Sequence, residues 1–239
     1  MPKISVIIPV YNHAMALDRS LMTLFAQTLV PYEVIIVNDG STDNVESVIK
    51  TWQTKHPEIQ WTILEQAHAG ASTARNVGLR AATGELVIFW DADTVAKPEM
   101  LSKMYQALIE NPTASYAYSH YRFGRKLIKS RPFNAARLKE NNFIDTTSLM
   151  WKKDVEPFDE QLQRFQDWDL WLTLLEKNKT GVLVPEVLFS KIVGSRIGYS
   201  KWIPKFYFKL PWKPAAVKRY LEAKAIVLKK HGLATSQNS

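Results

Sequence analysis

The 239-residue sequence contains no cysteine. Disulfide bonds, thiolate metal sites and cysteine nucleophiles are therefore excluded. No apolar run approaches the ~20 residues that a helix needs to span a bilayer, and the start of the chain has no signal-peptide pattern. A glycine-rich phosphate loop is missing after the first predicted strand, and no Gly-Lys-Ser/Thr motif occurs, which disfavours dehydrogenases and P-loop enzymes. These absences predict a soluble, cytoplasmic protein.

Charge is distributed unevenly along the chain, whose net charge is +8. Residues 1–115 contain eight Lys and Arg against twelve Asp and Glu, residues 116–200 contain fourteen against ten, and residues 201–239 contain nine against one. This asymmetry indicates an anionic partner on the C-terminal side. Because the acidic N-terminal half offers no continuing basic groove, we predict no nucleic-acid partner.

Apolar strands and amphipathic helices alternate regularly in the first half of the chain. Strands are predicted at residues 4–8, 32–37, 61–64 and 86–90, each followed by a helical pattern. This order predicts an α/β fold, a three-layer sandwich around a mostly parallel, Rossmann-like sheet. The second helix is predicted to begin with a capping box formed by Asp43 and Glu46.

The fourth predicted strand runs directly into two carboxylates, Asp91 and Asp93. Parallel sheets bind ligands at the carboxyl ends of their strands, where Tyr11 and Asp39 follow the first and second strands. Two oxygen anions on one face of an extended segment suit Mg²⁺ or Mn²⁺, and such a cation suits a diphosphate. Taken alone, the pair fits an acidic turn equally well.

The alternating pattern changes after Pro112. Residues 115–123 alternate like a strand, and residues 142–151 fit either a strand or a helix. Residues 166–175 have the periodicity of an amphipathic helix. Asp167 lies near the start of this helix, at the margin of its apolar side, where a carboxylate can be held firmly and still reach a ligand.

The C-terminal tail combines positive charge with aromatic residues. Residues 201–213 interleave Lys with Trp, Phe and Tyr, and Pro214 precedes a predicted amphipathic helix. Such segments bind anionic membrane surfaces, which is one hypothesis for residues 201–230. The alternative is a helix that packs on the rest of the protein with a solvated basic face. Lys224 interrupts the apolar side and favours neither hypothesis.

Five motifs of the chain, in this order, resemble those of the family 2 glycosyltransferases. They are Ser5–Asn12, Val37–Asp43, Ala74–Gly78, Asp91–Asp93, and Phe158–Glu160 followed by Gln166–Trp171. The first two are specific in combination, whereas Asp-Ala-Asp alone would not be. The resemblance implies the A-type glycosyltransferase fold and an inverting, metal-dependent enzyme.

The resemblance also implies a domain organisation and a reaction. Residues 1–200 would form the catalytic domain, with a nucleotide-binding half at 1–112 and an acceptor-binding half at 113–200. Residues 201–239 would form a basic helical extension. The enzyme would move a sugar from a nucleoside diphosphate donor, with UDP-sugars favoured, to a hydroxyl of a glycan or glycolipid. The enzyme would take part in the synthesis of cell-surface polysaccharide or lipopolysaccharide. It would be cytoplasmic and bound peripherally to the inner face of the cell membrane.

Four residues are implied to bind the nucleotide. Pro9 and Tyr11 would line the base pocket, with Tyr11 packing on the base. Asp39 would accept a hydrogen bond from the base, and Arg75 would help hold the base or the diphosphate. Each has an ordinary structural alternative: Asp39 could begin a turn in which Gly40 has a positive φ, Tyr11 could be a half-buried aromatic, and Arg75 could form a surface ion pair.

Three carboxylates are implied to carry the chemistry. Asp91 would meet the ribose or a metal-bound water, and Asp93 would ligate Mn²⁺ or Mg²⁺ bridging the diphosphate, with Asp91 as the second residue of the metal site. Asp167 matches the aspartate that acts as general base. Alternatively, Asp167 could have only a structural role, as an acidic residue that the dipole at the helix N-terminus favours.

The chain departs from the family pattern at two places. Gln166 stands where the family usually has Glu, so the second negative charge beside Asp167 is missing. Residues 190–196 contain no His to serve as an extra metal ligand, and Lys191, Ser195 or Arg196 could meet the phosphate instead. Two rival functions are a nucleotidyltransferase of related fold, which would want the glycine-rich loop that is absent after strand one, and a non-catalytic nucleotide-sugar or glycan-binding protein. Asp91, Asp93 and Asp167 argue against the second rival, whereas Gln166 keeps it open.

Overall fold

The computed structural model describes residues 1–192, 207, 212 and 214–233. The strands in this part of the chain are β1 (Ile4–Val10), β2 (Glu33–Asn38), β3 (Gln60–Glu65), β4 (Leu86–Phe89), β5 (Thr94–Ala96), β6 (Ala114–Phe123), β7 (Lys126–Ile128), β8 (Leu149–Trp151) and β9 (Thr180–Lys191). The helices are α1 (Ala14–Phe25), α2 (Val45–Lys55), α3 (Ala71–Ala81), α4 (Met100–Glu110), α5 (Ala135–Glu140), α6 (Gln166–Glu176) and α7 (Ala215–Lys230).

The strands form one sheet in the order β3-β2-β1-β4-β8-β6-β9-β5, and β7 pairs with β6 outside this path. The first four strands in this order, β3, β2, β1 and β4, run parallel to one another. Beyond β4 the sheet is mixed, because β8 runs antiparallel to both β4 and β6 whereas β6 and β9 are parallel. Most paired positions lie in the parallel ladders, so the predicted α/β fold with a mostly parallel sheet is confirmed.

Helices cover both faces of the sheet, as the continuous apolar strands require. The side chains of α1, α2 and α4 pack with Ile8 and alternate strand residues on one face. The side chains of α3, α5, α6 and α7 pack with Ile7 and its alternates on the other face. Helix α3 approaches β1 so closely that a Cβ on Gly78 would lie 2.4 Å from Cγ2 of Ile7. The predicted three layers are therefore present.

Some local predictions change. The segment that fitted a strand or a helix is irregular up to Ser148 and then forms β8. The prediction of a capping box formed by Asp43 and Glu46 is wrong. The N-cap residue of α2 is Asn44, and its side chain forms no capping hydrogen bond. Asp43 instead accepts a 2.8 Å hydrogen bond from the backbone N–H of Ala14, at the first turn of α1. The carboxylate thus links the two helix starts that flank the β1 and β2 loops.

Helix α7 packs on the same face as α5 and α6. Val227 and Leu228 are buried in that apolar cluster. The interrupting Lys224 extends its ammonium to the backbone carbonyl of Glu140 at 3.0 Å. The apolar side of α7 is thus covered by the protein itself, as the packing hypothesis predicts. Most of residues 201–213 lie outside the described residues, so membrane binding by that segment stays a prediction. No described helix is both long and apolar enough to cross a membrane.

Candidate active site

A cavity of about 700 Å³ opens at the carboxyl ends of β1, β2 and β4. The six residues predicted to bind donor or metal all line it, namely Pro9, Tyr11, Asp39, Arg75, Asp91 and Asp93. Gln166, which also lines it, directly precedes Asp167. The structure therefore brings the predicted residues to one place, while their individual roles stay predictions.

Two loops form one wall of this cavity and are held together by their own polar side chains. Asn12 adopts a left-handed backbone conformation with φ 52°, which Asn tolerates better than most residues. Its backbone N–H donates to Oγ of Ser41 at 3.0 Å, and its Oδ1 accepts from the backbone N–H of Thr42 at 2.7 Å. The Tyr-Asn and Asp-Gly-Ser-Thr motifs are thus parts of a single structural unit.

Asp39 is buried and organises the turn that leads into α3. Its two carboxylate oxygens accept hydrogen bonds from the backbone N–H groups of Ala69 at 2.8 Å and Gly70 at 2.9 Å. Nε2 of Gln66 donates to Oδ1 at 2.7 Å. Gly40 has the expected positive φ, 74°. Asp39 therefore occupies the turn and also lines the cavity.

Tyr11 stacks on His68. The two ring centroids lie 3.8 Å apart with an interplanar angle of 18°. Nδ1 of His68 also lies 2.9 Å from Oδ2 of Asp39. His68 thus covers one face of the Tyr11 ring, which is the ring predicted to pack on the nucleotide base.

Asp91 is held between two cations. Nη2 of Arg75 donates to its Oδ1 at 2.7 Å, and Nζ of Lys191 donates to its Oδ2 at 2.7 Å. Burial alone would raise the pKa of Asp91, but Lys191 and Arg75 hold that pKa well below its ordinary value. Both oxygens are therefore committed to protein cations.

Asp93 differs from Asp91 although it is only two residues away. Burial, and then the negative charges of Asp91 and Asp145, raise the pKa of Asp93 to about 6. Among the residues that the structure describes, Asp93 has no ion-pair partner.

The residues present fit a divalent cation only in part. No group of three metal-ligating side chains occurs within the described ranges. A single carboxylate together with substrate phosphates is nevertheless a common way to hold Mg²⁺. The geometry therefore supports Asp93, rather than Asp91, as the direct ligand.

Other polar atoms lining the cavity lack protein partners. Oγ of Ser72, Nε of Arg75 and Nε2 of His13 are buried and form no hydrogen bond with the described part of the chain. A polar ligand in the cavity could satisfy such atoms, which are costly to leave unpaired. These three positions fit a ligand with several acceptor and donor groups.

Asp167 lies in the first turn of α6 and is fixed from outside the helix. Nδ2 of Asn142 donates to its Oδ2 at 2.7 Å. Burial, and then the negative charge of Asp145, raise the pKa of Asp167 to about 6. Asp145 thus supplies the second negative charge that Gln166 lacks.

The Phe-Asp-Glu motif before α6 is attached to α3 by Asn76. Its side chain donates to the carbonyl of Phe158 at 2.9 Å and to Oε1 of Glu160 at 2.8 Å, and accepts from the backbone N–H of Phe158 at 2.8 Å. The guanidinium of Arg75 lies 5.2 Å from the centroid of the Phe158 ring. The Arg-Asn pair of α3 therefore connects the cavity to the segment that leads into α6.

Sequence reasoning missed Asn142 and Asp145. Both lie in the segment that fitted a strand or a helix and adopts neither over most of its length. No periodic pattern marked them. Lys191 was considered only as a phosphate contact, whereas the structure places it in an ion-pair network with Asp91 and Asp145.

Comparison with known proteins agrees with this geometry. Residues 5–171 match the family described as Glycosyl transferase family 2. The chain is 41% identical over 109 residues to the uncharacterized glycosyltransferase YibD of Escherichia coli K12, covering 46% of this chain and 31% of YibD. It thus spans only about a third of that relative.

Solved structures share the fold at low identity. Staphylococcus aureus TarS in complex with UDP-GlcNAc superposes with a TM-score of 0.68 at 20% identity, covering 96% of this chain and 72% of that chain. The mannosyltransferase PcManGT from Pyrobaculum calidifontis, with GDP-Man and Mn²⁺, gives a TM-score of 0.66 at 20% identity, covering 96% and 71%. The fold is the A-type glycosyltransferase fold, and the chain belongs to glycosyl transferase family 2.

Proposed function

We propose that this glycosyltransferase is an inverting enzyme that moves a sugar from a nucleoside diphosphate donor, with UDP-sugars favoured, to a hydroxyl group of a glycan or glycolipid. The observation that carries the proposal is the contrast between two carboxylates, Asp91 in the cavity and Asp167 directly after the cavity-lining residue Gln166. Asp91 is neutralised by Arg75 and Lys191, whereas Asp167 is buried beside Asp145 with a raised pKa. The surroundings of Asp91 suit the leaving diphosphate, and those of Asp167 suit a general base.

Asp167 has the properties that proton abstraction requires. A pKa of about 6 leaves its carboxylate ionised at neutral pH but more basic than an ordinary aspartate. The hydrogen bond from Asn142 fixes its orientation. Asp167 would accept the proton of the acceptor hydroxyl while the hydroxyl oxygen attacks the anomeric carbon. A single in-line displacement of this kind inverts the anomeric configuration and needs no nucleophilic side chain.

The cavity itself suits the donor. Tyr11 would offer an aromatic surface to the base, and Gly70, Ala71 and Ser72 at the start of α3 line the same cavity. Arg75 brings a guanidinium to the same wall. A divalent cation held by Asp93, when bound, would neutralise charge on the leaving diphosphate as a Lewis acid. The complexes of TarS with UDP-GlcNAc and of PcManGT with GDP-Man and Mn²⁺ support both a nucleotide-sugar donor and a metal.

The basic tail supports an acceptor at a membrane surface. Residues 201–239 contain nine Lys and Arg against one acidic residue. Such a segment would bring a cytoplasmic, peripheral enzyme to anionic lipids and thus to a lipid-linked glycan in surface polysaccharide or lipopolysaccharide synthesis. Cosedimentation with vesicles containing phosphatidylglycerol tests this part, with neutral phosphatidylcholine vesicles as the control. Equal recovery with both vesicle types would contradict it.

Donor hydrolysis across a panel of UDP-, GDP- and dTDP-sugars tests the main proposal. We expect release of nucleoside diphosphate from one class, loss of activity with EDTA and recovery with Mn²⁺ or Mg²⁺. Product analysis separates the rivals, since a nucleotidyltransferase would form pyrophosphate or a nucleotide sugar. Binding without turnover, even with candidate glycan acceptors, would favour the non-catalytic protein.

A further inference from the structure

Pairing between distant strands brings Lys191 to the two aspartates that follow β4. Strand β5 starts immediately after Asp93 and runs antiparallel to β9, with Thr94 opposite Lys191. The backbone N–H of Ile192 donates to the carbonyl of Asp93 at 3.0 Å. The position of Lys191 is thus set by the sheet and not by a loop.

The ammonium of Lys191 joins two carboxylates. Nζ lies 2.7 Å from Oδ2 of Asp91 and 2.8 Å from Oδ1 of Asp145, and the Lys191 side chain is only 12% exposed. Since Arg75 occupies Oδ1 of Asp91, neither oxygen of Asp91 is free for another cation. Asp93 is the remaining carboxylate of this cluster.

We propose that Lys191 acts as a resident cation that prevents the protein from binding a divalent metal until the nucleoside diphosphate is present. Mg²⁺ and Mn²⁺ prefer several oxygen ligands, and Asp93 alone provides one side chain. The oxygens of a diphosphate would supply the missing ligands and negative charge. Metal and nucleotide would then bind together. This part rests on the proposed function, because it requires a nucleoside diphosphate in the cavity.

Free Mn²⁺ measured by electron paramagnetic resonance tests this role without any turnover. Wild-type protein is compared with Lys191→Met and Lys191→Gln, which remove the charge, and with Lys191→Arg, which keeps it. Lys103→Met is the matched control, because Lys103 forms an exposed ion pair with Glu186 on the protein surface. Each protein is titrated with Mn²⁺ alone and with Mn²⁺ plus UDP, and circular dichroism checks the fold.

Without nucleotide, we expect Lys191→Met and Lys191→Gln to bind Mn²⁺ about ten-fold or more tightly than wild type, because a positive charge a few ångströms from the carboxylates is removed. Lys191→Arg and Lys103→Met should behave like wild type. UDP should raise the Mn²⁺ affinity of the wild-type protein.

Two failures are distinguishable. If wild type binds Mn²⁺ alone as tightly as the neutral variants, the role of Lys191 is overturned. If neither UDP nor GDP raises Mn²⁺ binding by wild type, metal-dependent donor binding fails, while the nucleotide-free comparison still decides the role of Lys191. Using two neutral variants keeps the test valid when one of them does not fold.

Discussion

The side chain of Asn142 donates a 2.7 Å hydrogen bond to Oδ2 of Asp167 and accepts one of 3.0 Å from the backbone N–H of Ile144. The amide is therefore fixed at both ends. As the proposed general base, Asp167 needs a fixed orientation, and Asn142 provides it from outside α6.

Asn142→Ala should lower kcat about ten-fold, the cost of losing one hydrogen bond to a charged group. The KM for the donor should not change, because Asn142 does not belong to the residues lining the nucleotide cavity. Steady-state kinetics with varied donor measures both constants. Asn111→Ala, at an exposed helix end, is the control. An unchanged kcat in a folded Asn142→Ala protein would refute this role.

Asp145→Asn should move the acid limb of the kcat/KM profile to lower pH. The negative charge of Asp145 contributes to the raised pKa of Asp167, about 6, so its removal makes Asp167 ionise more easily. We expect a downward shift of about one pH unit. Transfer rates measured from pH 4.5 to 8 with a pH-insensitive buffer series check the shift. A limb that stays in place or moves upward would exclude Asp145 as the source of the raised pKa.

Asp167→Asn should abolish transfer and stabilise the fold. Loss of a general base typically costs about 10²–10⁴-fold in rate. The pKa of Asp167 is raised from 3.8 to about 6 on folding, so the folded state disfavours ionisation. This penalty is absent at low pH, grows as the pH rises through 3.8 to 6, and is complete above that range.

The neutral amide removes the penalty. At pH 7.5 the gain should be on the order of 1–2 kcal/mol in the free energy of unfolding. Denaturant titrations at pH 7.5 and pH 4 provide the comparison, since the gain should vanish at the lower pH. Equal gains at both pH values would show that ionisation of Asp167 is not the cause.

Tyr11→Ala should weaken UDP binding about ten-fold, which is the size of one base–aromatic stacking contact. Tyr11→Phe keeps the ring and should bind like wild type. Because His68 covers one face of this ring at 3.8 Å, His68→Ala should increase UDP affinity if the base uses that face. Calorimetry measures all three variants. Equal affinities for Tyr11→Ala and Tyr11→Phe would exclude stacking on Tyr11.

Val227→Asp should destabilise the protein by about 3 kcal/mol or more, because it places a carboxylate without a cationic partner in an apolar cluster. Ile226 is the matched control, since its side chain is 57% exposed whereas that of Val227 is fully buried. Ile226→Asp should leave the melting temperature nearly unchanged. If both substitutions have equally small effects, α7 does not contribute to stability through its packing.

Much of the fold of residues 1–112 could be predicted from sequence. Its strands are continuous apolar runs, and each ends in a polar motif, so the convergence of Tyr11, Asp39 and Asp91 follows from the parallel sheet. The place of Asp167 in the first turn of α6 could be predicted because that helix is strongly periodic, while its role as general base stays a prediction. These features are encoded locally, in consecutive residues.

The network around Asp91 could not be predicted in this way. Lys191 reaches it through the β5–β9 ladder, and Asp145 reaches it from an irregular segment. Both depend on pairing between residues far apart in sequence. The start of α7 could be predicted from the sequence, but the surface on which the helix packs could not. Only the tertiary structure shows that Val227 and Leu228 pack in the apolar cluster with α5 and α6.

The distance in sequence between Thr94 and Lys191 also has a consequence for the order of folding. Contacts between neighbouring elements form early, whereas pairing across a long chain segment carries a larger loop-closure entropy and is slower. During synthesis, the ribosome must add residue 191 before the acidic segment after β4 can pair with Lys191. Pulsed hydrogen exchange during refolding should therefore show protection in β1 and β2 before protection in β5. A newly made chain would pass through a stage in which β1 and β2 are paired and Asp145 still lacks its ion pair with Lys191.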